Sequence, residues 1–320
     1  MNLSEYFKTN PLVLAPLAEI TDSPFRRICR QLDAGIVFSG MLTGNGMVFR
    51  HQKTLKELRF DPEEHPLAVQ IFGKDPDKMA EAARIVEAAG ADIIDFNAAC
   101  WVRKILKSQS GGGLLRTPLL LGEILDKMVK AVKIPVTVKI RKGFTENDRL
   151  GLEAAKIAQE CGAAALSIHP RTVSQGFTGL PDHQFAFQLA EVISIPLIGS
   201  GEFTTPEKIR EGLTAYPYRA VMLGRPVLGN PWLFKTAGHY LKTGELIPEP
   251  DFREKLPVIN RHLELIREYY PERPALTKTK KHLCWYLKNL PLAAVYRNQI
   301  NLAPDLKTVE RILAGFTRNL

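Results

Sequence analysis

Apolar and β-branched residues gather into short runs at 12–17, 35–39, 67–72, 92–97, 136–141, 164–169, 196–200 and 219–223. Between most of them lie amphipathic stretches, at 76–89, 118–132, 149–161 and 205–214, whose apolar positions fit one face of a helix. Strands alternating with helices predict βαβ units and a parallel sheet. Eight such units in about 240 residues predict a closed (β/α)8 barrel rather than an open doubly wound sheet. An open sheet of the dinucleotide-binding kind would want G-x-G-x-x-G after the first strand, where this chain has APLAEITDSPF.

After residue 243 the strand pattern stops. GELIPEPD, with two prolines, reads as a linker. Ile259, Leu263, Ile266 and Tyr270 then recur at helical spacing until PERP, and Leu276, Leu283, Leu287 and Leu290 make the apolar stripe of a following helix. The expected division is a barrel over 1–243 and a small all-helical domain over 244–320.

Strand parity adds the first chemistry. Alternate residues of a barrel strand face the axis. In VTVKIR, Thr137, Lys139 and Arg141 share a face; Gln70 goes with Ala68 and Phe72, Asn97 with Asp95, and His169 with Ser167. A single polar residue in such a strand is more often a satisfied core group. Four at matching positions of different strands point to one barrel mouth. The last two strands run into glycines, in PLIGSGE and RAVMLGR. Glycines can simply make tight turns, but after strands seven and eight of this fold they commonly grip a phosphate, with Arg225 adding a charged donor.

Composition narrows the class. Hydrophobic and charged contents of 45% and 24% over 320 residues are those of an ordinary globular protein. No run reaches the roughly 18 apolar residues of a membrane span, and the N-terminus lacks the pattern of a signal peptide, so a cytoplasmic protein is expected. Cys29, Cys100, Cys161 and Cys284 lie far apart, which fits neither a disulfide framework nor a zinc site. Only Cys100 follows a strand end, in IIDFNAACWVRKILKSQSGGGLL, beside a basic stretch and three glycines that read as a mobile cover. The formal charge of +9 favours a polyanionic partner. Between 271 and 300, Arg273, Lys278, Lys280, Lys281, Lys288 and Arg297 face only Glu272. A charge run is usually a solvated face, but Lys278, Lys281, Trp285 and Lys288 on one side combine phosphate contact with stacking and point to RNA.

At this point the chain resembles a known family, the tRNA-dihydrouridine synthases, most closely their bacterial B-type branch. APLAEITDSPFR (15–26), QIFG (70–73), the N-x-x-C of 97–100, GGGLL (111–115), PVTVKIR (135–141), IHPRT (168–172), GSGE (199–202), GRPVLGNPWLF (224–234) and KKHLCWYLKNLPLAAVYRNQIN (280–301) carry the resemblance over nearly the whole chain. It implies an FMN-containing barrel followed by a small helical tRNA-holding domain, with NADPH reducing the flavin and the flavin reducing the C5=C6 bond of a uridine. By the same resemblance Pro16, Leu17, Ala18, Gln70 and Lys139 line the flavin, and Ser200, Gly201, Glu202, Gly224 and Arg225 hold its phosphate end. Asn97, Arg141 and His169 surround the uracil and the flavin ring, Arg171 joins the substrate contacts, and Cys100 is the proton donor. No metal, membrane or DNA partner is expected, and the protein is expected to be a monomer.

The chemistry is consistent with these residue types. No side chain delivers a hydride, so a cofactor must. A thiol with an ordinary pKa near 8.5 is still protonated at neutral pH and can serve as the acid. A nearby Lys139 or Arg141 would lower that pKa, a tension the sequence leaves open. The chain departs from the family at Ala99 and Trp101 around the cysteine, where Gly and Pro are usual, and at Gly40, Pro170, Ser200 and Glu202. Trp101 either packs under the loop or crowds the base. Two other readings remain: an FMN-barrel oxidoreductase of free pyrimidines, and an RNA-binding protein that has lost catalysis.

Overall fold

The computed structural model describes residues 1–318, so the last two positions of the expected helical domain lie outside the described residues. Its strands are β1 (Leu12–Leu14), β2 (Ile36–Phe38), β3 (Leu42–Thr43), β4 (Leu67–Phe72), β5 (Ile93–Ala98), β6 (Val136–Arg141), β7 (Ala165–His169), β8 (Leu197–Ser200) and β9 (Ala220–Leu223). All pair in parallel. β2 pairs with both β1 and β4, and β9 with both β8 and β1, which closes the sheet; β3 only flanks β4. The expected (β/α)8 barrel is the fold, and each of the eight expected runs matches one barrel strand, β5 running one residue beyond its run to Ala98.

Two differences have plain causes. The first run was expected to extend to 17, but β1 stops at Leu14. Pro16 has no N–H for the ladder, and Leu17 already begins a turn, its carbonyl accepting from Ile20 N and Thr21 N at 3.0 Å. β3, a Leu-Thr pair, is too short to register as a hydrophobic pattern.

Outward residues such as Val138, Ile140, Leu166 and Ile168 pack with Ile124, Leu125, Ala154 and Ala158 of the surrounding helices. Inward residues at the strand starts, including Ile36, Ile93, Ala165 and Ala220, cluster with Leu3 and Phe7 of the helix Leu3–Thr9. That helix fills the end where the strands begin. The opposite end, where they finish, is left as the mouth.

The helix Leu233–Thr243 ends at Gly244, whose φ of 77° is a left-handed cap that glycine adopts without a Cβ clash. Residues 245–250 form no regular structure. Asp251 then opens the helix Phe252–Tyr269 with a capping box, and Glu272–Tyr286, Ala293–Leu302 and Leu306–Arg318 follow. Ile259, Leu263, Ile266, Leu283, Ile300, Val309 and Phe316 form a second core. Ile28 and Leu32, at the end of the helix Ser23–Gln31, and Trp232 belong to that core as well. Among the described residues no helix is long and apolar enough to cross a membrane.

Candidate active site at the barrel mouth

Under the mouth lies a buried polar layer. Asp95 is fully buried and accepts from Gln70 Nε2 and Thr137 Oγ1, both at 2.6 Å. Burial raises its pKa, while those two donors and Lys139 favour the carboxylate. Gln70 Oε1 in turn accepts from Asn97 Nδ2 at 2.8 Å, which fixes the Asn97 amide. Its other end, Oδ1, accepts from the N–H groups of Ala99 (3.1 Å) and Cys100 (2.9 Å). Asn97 thus builds the turn that carries the chain out of β5 and sets Cys100.

Arg141 completes that turn from the side. Buried at the end of β6, it donates from Nε to Ala99 O at 2.9 Å and from Nη1 to Thr172 O and Gly176 O at 2.8 and 2.7 Å. Burial lowers its pKa to about 10, so it stays a cation at neutral pH. The thiol of Cys100 is raised by burial, against the Val102 N–H and Arg141, which favour the thiolate. Burial wins, and Cys100 is protonated at neutral pH.

The glycines after Cys100 have a different role from the hinge expected of them. They open a 3-10 turn, Gly111–Arg116, with Gly111 and Gly112 buried. Gly112 N donates to Cys100 O at 2.9 Å. At Gly111, with φ of 58°, an added Cβ would lie 2.9 Å from Cys100 Cβ and 2.8 Å from Ile105. Close approach to the cysteine is what demands glycine here. The expected cover, Arg103–Lys107, is a short helix with no buried residue.

Further round the mouth, Lys139 Nζ donates to Ser200 Oγ at 3.2 Å, and Ser200 Oγ donates to Ile168 O at 3.0 Å. Burial lowers the pKa of Lys139, with Asp95 opposing the shift. His169 Nδ1 is 3.3 Å from Ser200 Oγ, and its Nε2 is buried without a partner. Burial, then Lys139, Arg141 and Arg171, hold this ring neutral with a pKa of about 2.

After β8, Gly201 has φ of 124° and Glu202 φ of 58°. His183 Nε2 donates to Gly201 O at 3.0 Å, and Tyr218 OH lies 3.0 Å from His183 Nδ1. C=O and N–H oppose each other across a trans peptide. Fixing the Gly201 carbonyl therefore aims the Glu202 N–H the other way, where it has no hydrogen bond among the described residues. Gly224 precedes the 3-10 turn Arg225–Val227, and a Cβ on it would lie 3.7 Å from the side chain of Leu17. Pro16 and Leu17 are half-buried beside it and Ala18 is exposed.

Three further side chains of the sequence reading have definite partners. Arg171, expected among the substrate contacts, is 1% exposed; it pairs with Glu202 and donates from Nη2 to Gly179 O at 2.6 Å. The guanidinium of Arg225 lies over the Phe177 ring, 4.5 Å from its centroid. Trp101 packs on the loop after β7: a Cβ on Gly176 would be 3.2 Å from the indole, and Phe177 meets it edge-on at 5.6 Å. Phe177, His183 and Tyr218 went unnoticed in the sequence. They stand in or near a loop with no hydrophobic period, and only the glycines at 199 and 201 marked the place.

On the helix Glu272–Tyr286, Lys281 Nζ lies 5.5 Å over the ring of Trp285, and Lys288 is exposed just beyond the helix end. Lys278 turns away from them. Its ammonium donates to Glu19 O at 2.6 Å and pairs with Asp22 at 3.1 Å. No group of three or more His, Cys, Asp or Glu side chains could hold a metal ion among the described residues.

The mouth of the closed parallel (β/α)8 barrel thus gathers a protonated thiol, buried cations and two glycine turns. The chain belongs to the dihydrouridine synthase family: the family model described as "Dihydrouridine synthase (Dus)" matches residues 13–319. Among curated relatives, a tRNA-dihydrouridine synthase B of Pasteurella multocida is 40% identical over 99% of this chain and 95% of its own length. One from Pseudomonas aeruginosa is 38% identical over 95% of this chain and 92% of its own. Among solved structures, histamine dehydrogenase from a Rhizobium species aligns over 80% of this chain and 49% of its own, with a TM-score of 0.58 at 13% identity. The old yellow enzyme homologue of Zymomonas mobilis aligns over 75% of this chain and 90% of its own, with a TM-score of 0.53 at 15% identity. These two likenesses speak for the fold.

Proposed function

We propose that the protein is an FMN- and NADPH-dependent tRNA-dihydrouridine synthase, in which Cys100 protonates C5 of a uridine whose C6 receives a hydride. Family membership carries the reaction class. The observation that carries the role of Cys100 is its setting: a thiol kept protonated by burial, on a turn fixed by Asn97 and Arg141. Residues 1–243 act as the catalytic barrel and 244–320 as the tRNA-holding helical domain, in a cytoplasmic monomer.

The mouth suits FMN on its own features. The free Glu202 N–H, the glycines at 201 and 224 and Arg225 supply anion donors, and the unpartnered His169 Nε2 is an acceptor for a ribityl hydroxyl. Pro16, Leu17 and Ala18 give an apolar edge for the ring, next to Gln70 and Lys139. Bound and reduced, the flavin supplies the hydride that no side chain can.

The side chains do the rest. Cys100 gives its proton to C5, and the thiolate left behind takes one back from water. Lys139, which donates to Ser200, is a fixed cation beside which charge on the uracil carbonyls can develop. Asn97 and Arg141 keep the thiol in reach, and Arg171 holds Glu202 and the loop at Gly179. The target base must leave its stack to enter the mouth. Lys281, Trp285 and Lys288 hold the tRNA during that step.

The test is dihydrouridine formed in unmodified tRNA with NADPH, measured by nucleoside mass spectrometry. Wild type forms product. Cys100→Ala retains yellow FMN and loses about 10²–10⁴-fold in rate, the usual worth of a general acid. An inactive wild type sinks the reading, and a colourless Cys100→Ala shows that the cysteine belongs to cofactor binding.

A further inference from the structure

The segment proposed to line the flavin, residues 16–18, runs straight into a turn that the C-terminal helices grip. Glu19, next to Ala18, has a left-handed backbone with φ of 59°, uncommon for a residue with a Cβ. The C-terminal helices contact it directly. Lys278 Nζ donates to the Glu19 carbonyl at 2.6 Å and lies 3.1 Å from Asp22 Oδ2. The same Asp22 oxygen accepts from Tyr270 OH at 2.9 Å, and the Tyr270 ring lies 5.4 Å from the Lys278 ammonium.

On the barrel side the turn is equally committed. Thr21 Oγ1 stands 3.1 Å from both the N–H and the carbonyl of Leu17, and Arg26 Nη1 donates to Thr21 O at 2.6 Å. Asp22 Oδ1 caps the helix Ser23–Gln31 through Phe25 N at 3.2 Å. One side of this clasp comes from barrel residues; the other reaches back 259 and 248 positions in sequence. With side chains of Lys278 and Asp22 only 17% and 8% exposed, the pair is shielded from solvent and salt.

We infer that Lys278, assisted by Tyr270, is a positioning residue for the cofactor: it holds Glu19 and Asp22 so that residues 16–18 keep the shape that accepts the flavin ring. The inference rests on the proposed flavin site. It removes Lys278 from the RNA-contacting stripe and makes the helical segment part of the cofactor site. By linkage, flavin occupancy and the placement of the helix Glu272–Tyr286 affect each other.

The experiment titrates FMN into the full apo chain by flavin fluorescence, and tRNA into the FMN-saturated chain at several salt concentrations, for wild type, Lys278→Met, Lys278→Arg and Tyr270→Phe. Expected for Lys278→Met is FMN affinity weakened about tenfold or more, the scale of one lost charge-assisted hydrogen bond, with the salt slope of tRNA binding retained. Lys278→Arg, which keeps a donor and the charge, recovers part of the loss. Tyr270→Phe, which removes only a hydroxyl and keeps the packing, weakens FMN in the same direction by less; it carries the test if Lys278→Met does not fold. Unchanged FMN affinity overturns the inference, and a salt slope reduced by about one returns Lys278 to RNA contact. A wild type that binds no FMN instead overturns the flavin site itself.

Discussion

The barrel mouth and the helix Glu272–Tyr286 both carry polar side chains central to the proposed reaction, and they hold them in opposite ways. In the mouth, Gln70, Asp95, Asn97 and Thr137 are buried and bonded to one another. On the helix, neighbouring lysines divide: Lys281 stays over Trp285, while Lys278 is drawn into the contact with the barrel. A strand in a closed barrel leaves a side chain two directions, in or out, and parity chooses between them. A lysine on a helix has four flexible carbons, and its direction is decided by whichever partner arrives from elsewhere in the chain.

The contrast can be broken most severely at Asp95. Asp95→Leu leaves Gln70 Nε2 and Thr137 Oγ1 without an acceptor and Lys139 without its counter-charge, so unfolding free energy should fall by about 3 kcal/mol in urea titration. A loss below roughly 1 kcal/mol would show that the layer tolerates rearrangement and that the mouth is no more rigid than the helix.

An intermediate effect comes from acid. His262 and His282 are buried at the contact between the helices and Phe25, their rings 4.5 Å apart. Burial lowers the pKa of His262 to about 4, and burial and then His262 lower that of His282 well below its ordinary value. Both folded values lie below the unfolded value near 6.5. The folded state therefore binds fewer protons than the unfolded chain in this window. The stability of the neutral rings is complete above pH 6.5 and is lost as pH falls towards 4. His169 in the mouth shifts in the same direction, so the wild-type slope sums both regions. His282→Phe should flatten the urea midpoint against pH between 7 and 5 by about 1 kcal/mol per pH unit. An unaltered slope would assign the acid sensitivity to the mouth alone.

The smallest effect is expected at the half-buried lysine over Trp285. Lys281→Met should weaken tRNA binding severalfold and reduce its salt slope by about one, leaving FMN affinity unchanged. A change in FMN affinity would mean that Lys281 behaves like Lys278 and that the helix has no purely RNA-facing side.

The sequence made the strands legible because β-branched runs and their spacing depend on local pattern. Parity alone gathers Gln70, Asn97, Lys139, Arg141 and His169. What it missed depends on contacts without a local signature. Gly111 and Gly112 read as a hinge because glycine is permissive; their cause is the closeness of Cys100 and Val173. Arg171 entered as a substrate contact through the family resemblance alone, but Glu202 and the Gly179 carbonyl occupy it. Phe177 belongs to no periodic element, yet it touches Trp101, His169 and Arg225. The tension between a useful acid and a neighbouring arginine was settled by burial, which no spacing reports.

Ile28, Leu32 and Trp232, barrel residues in sequence, are packed in the core of the C-terminal helices. That shared core limits how the gene can be cut and recombined. A fragment stopped after Gly244 would uncover those three side chains as an adhesive patch and tend to self-associate. Chimaeras that exchange helical segments between relatives should stay in solution only when the facing side of the helix Ser23–Gln31 travels with them. The natural unit of exchange is the pair of surfaces, not the stretch of chain.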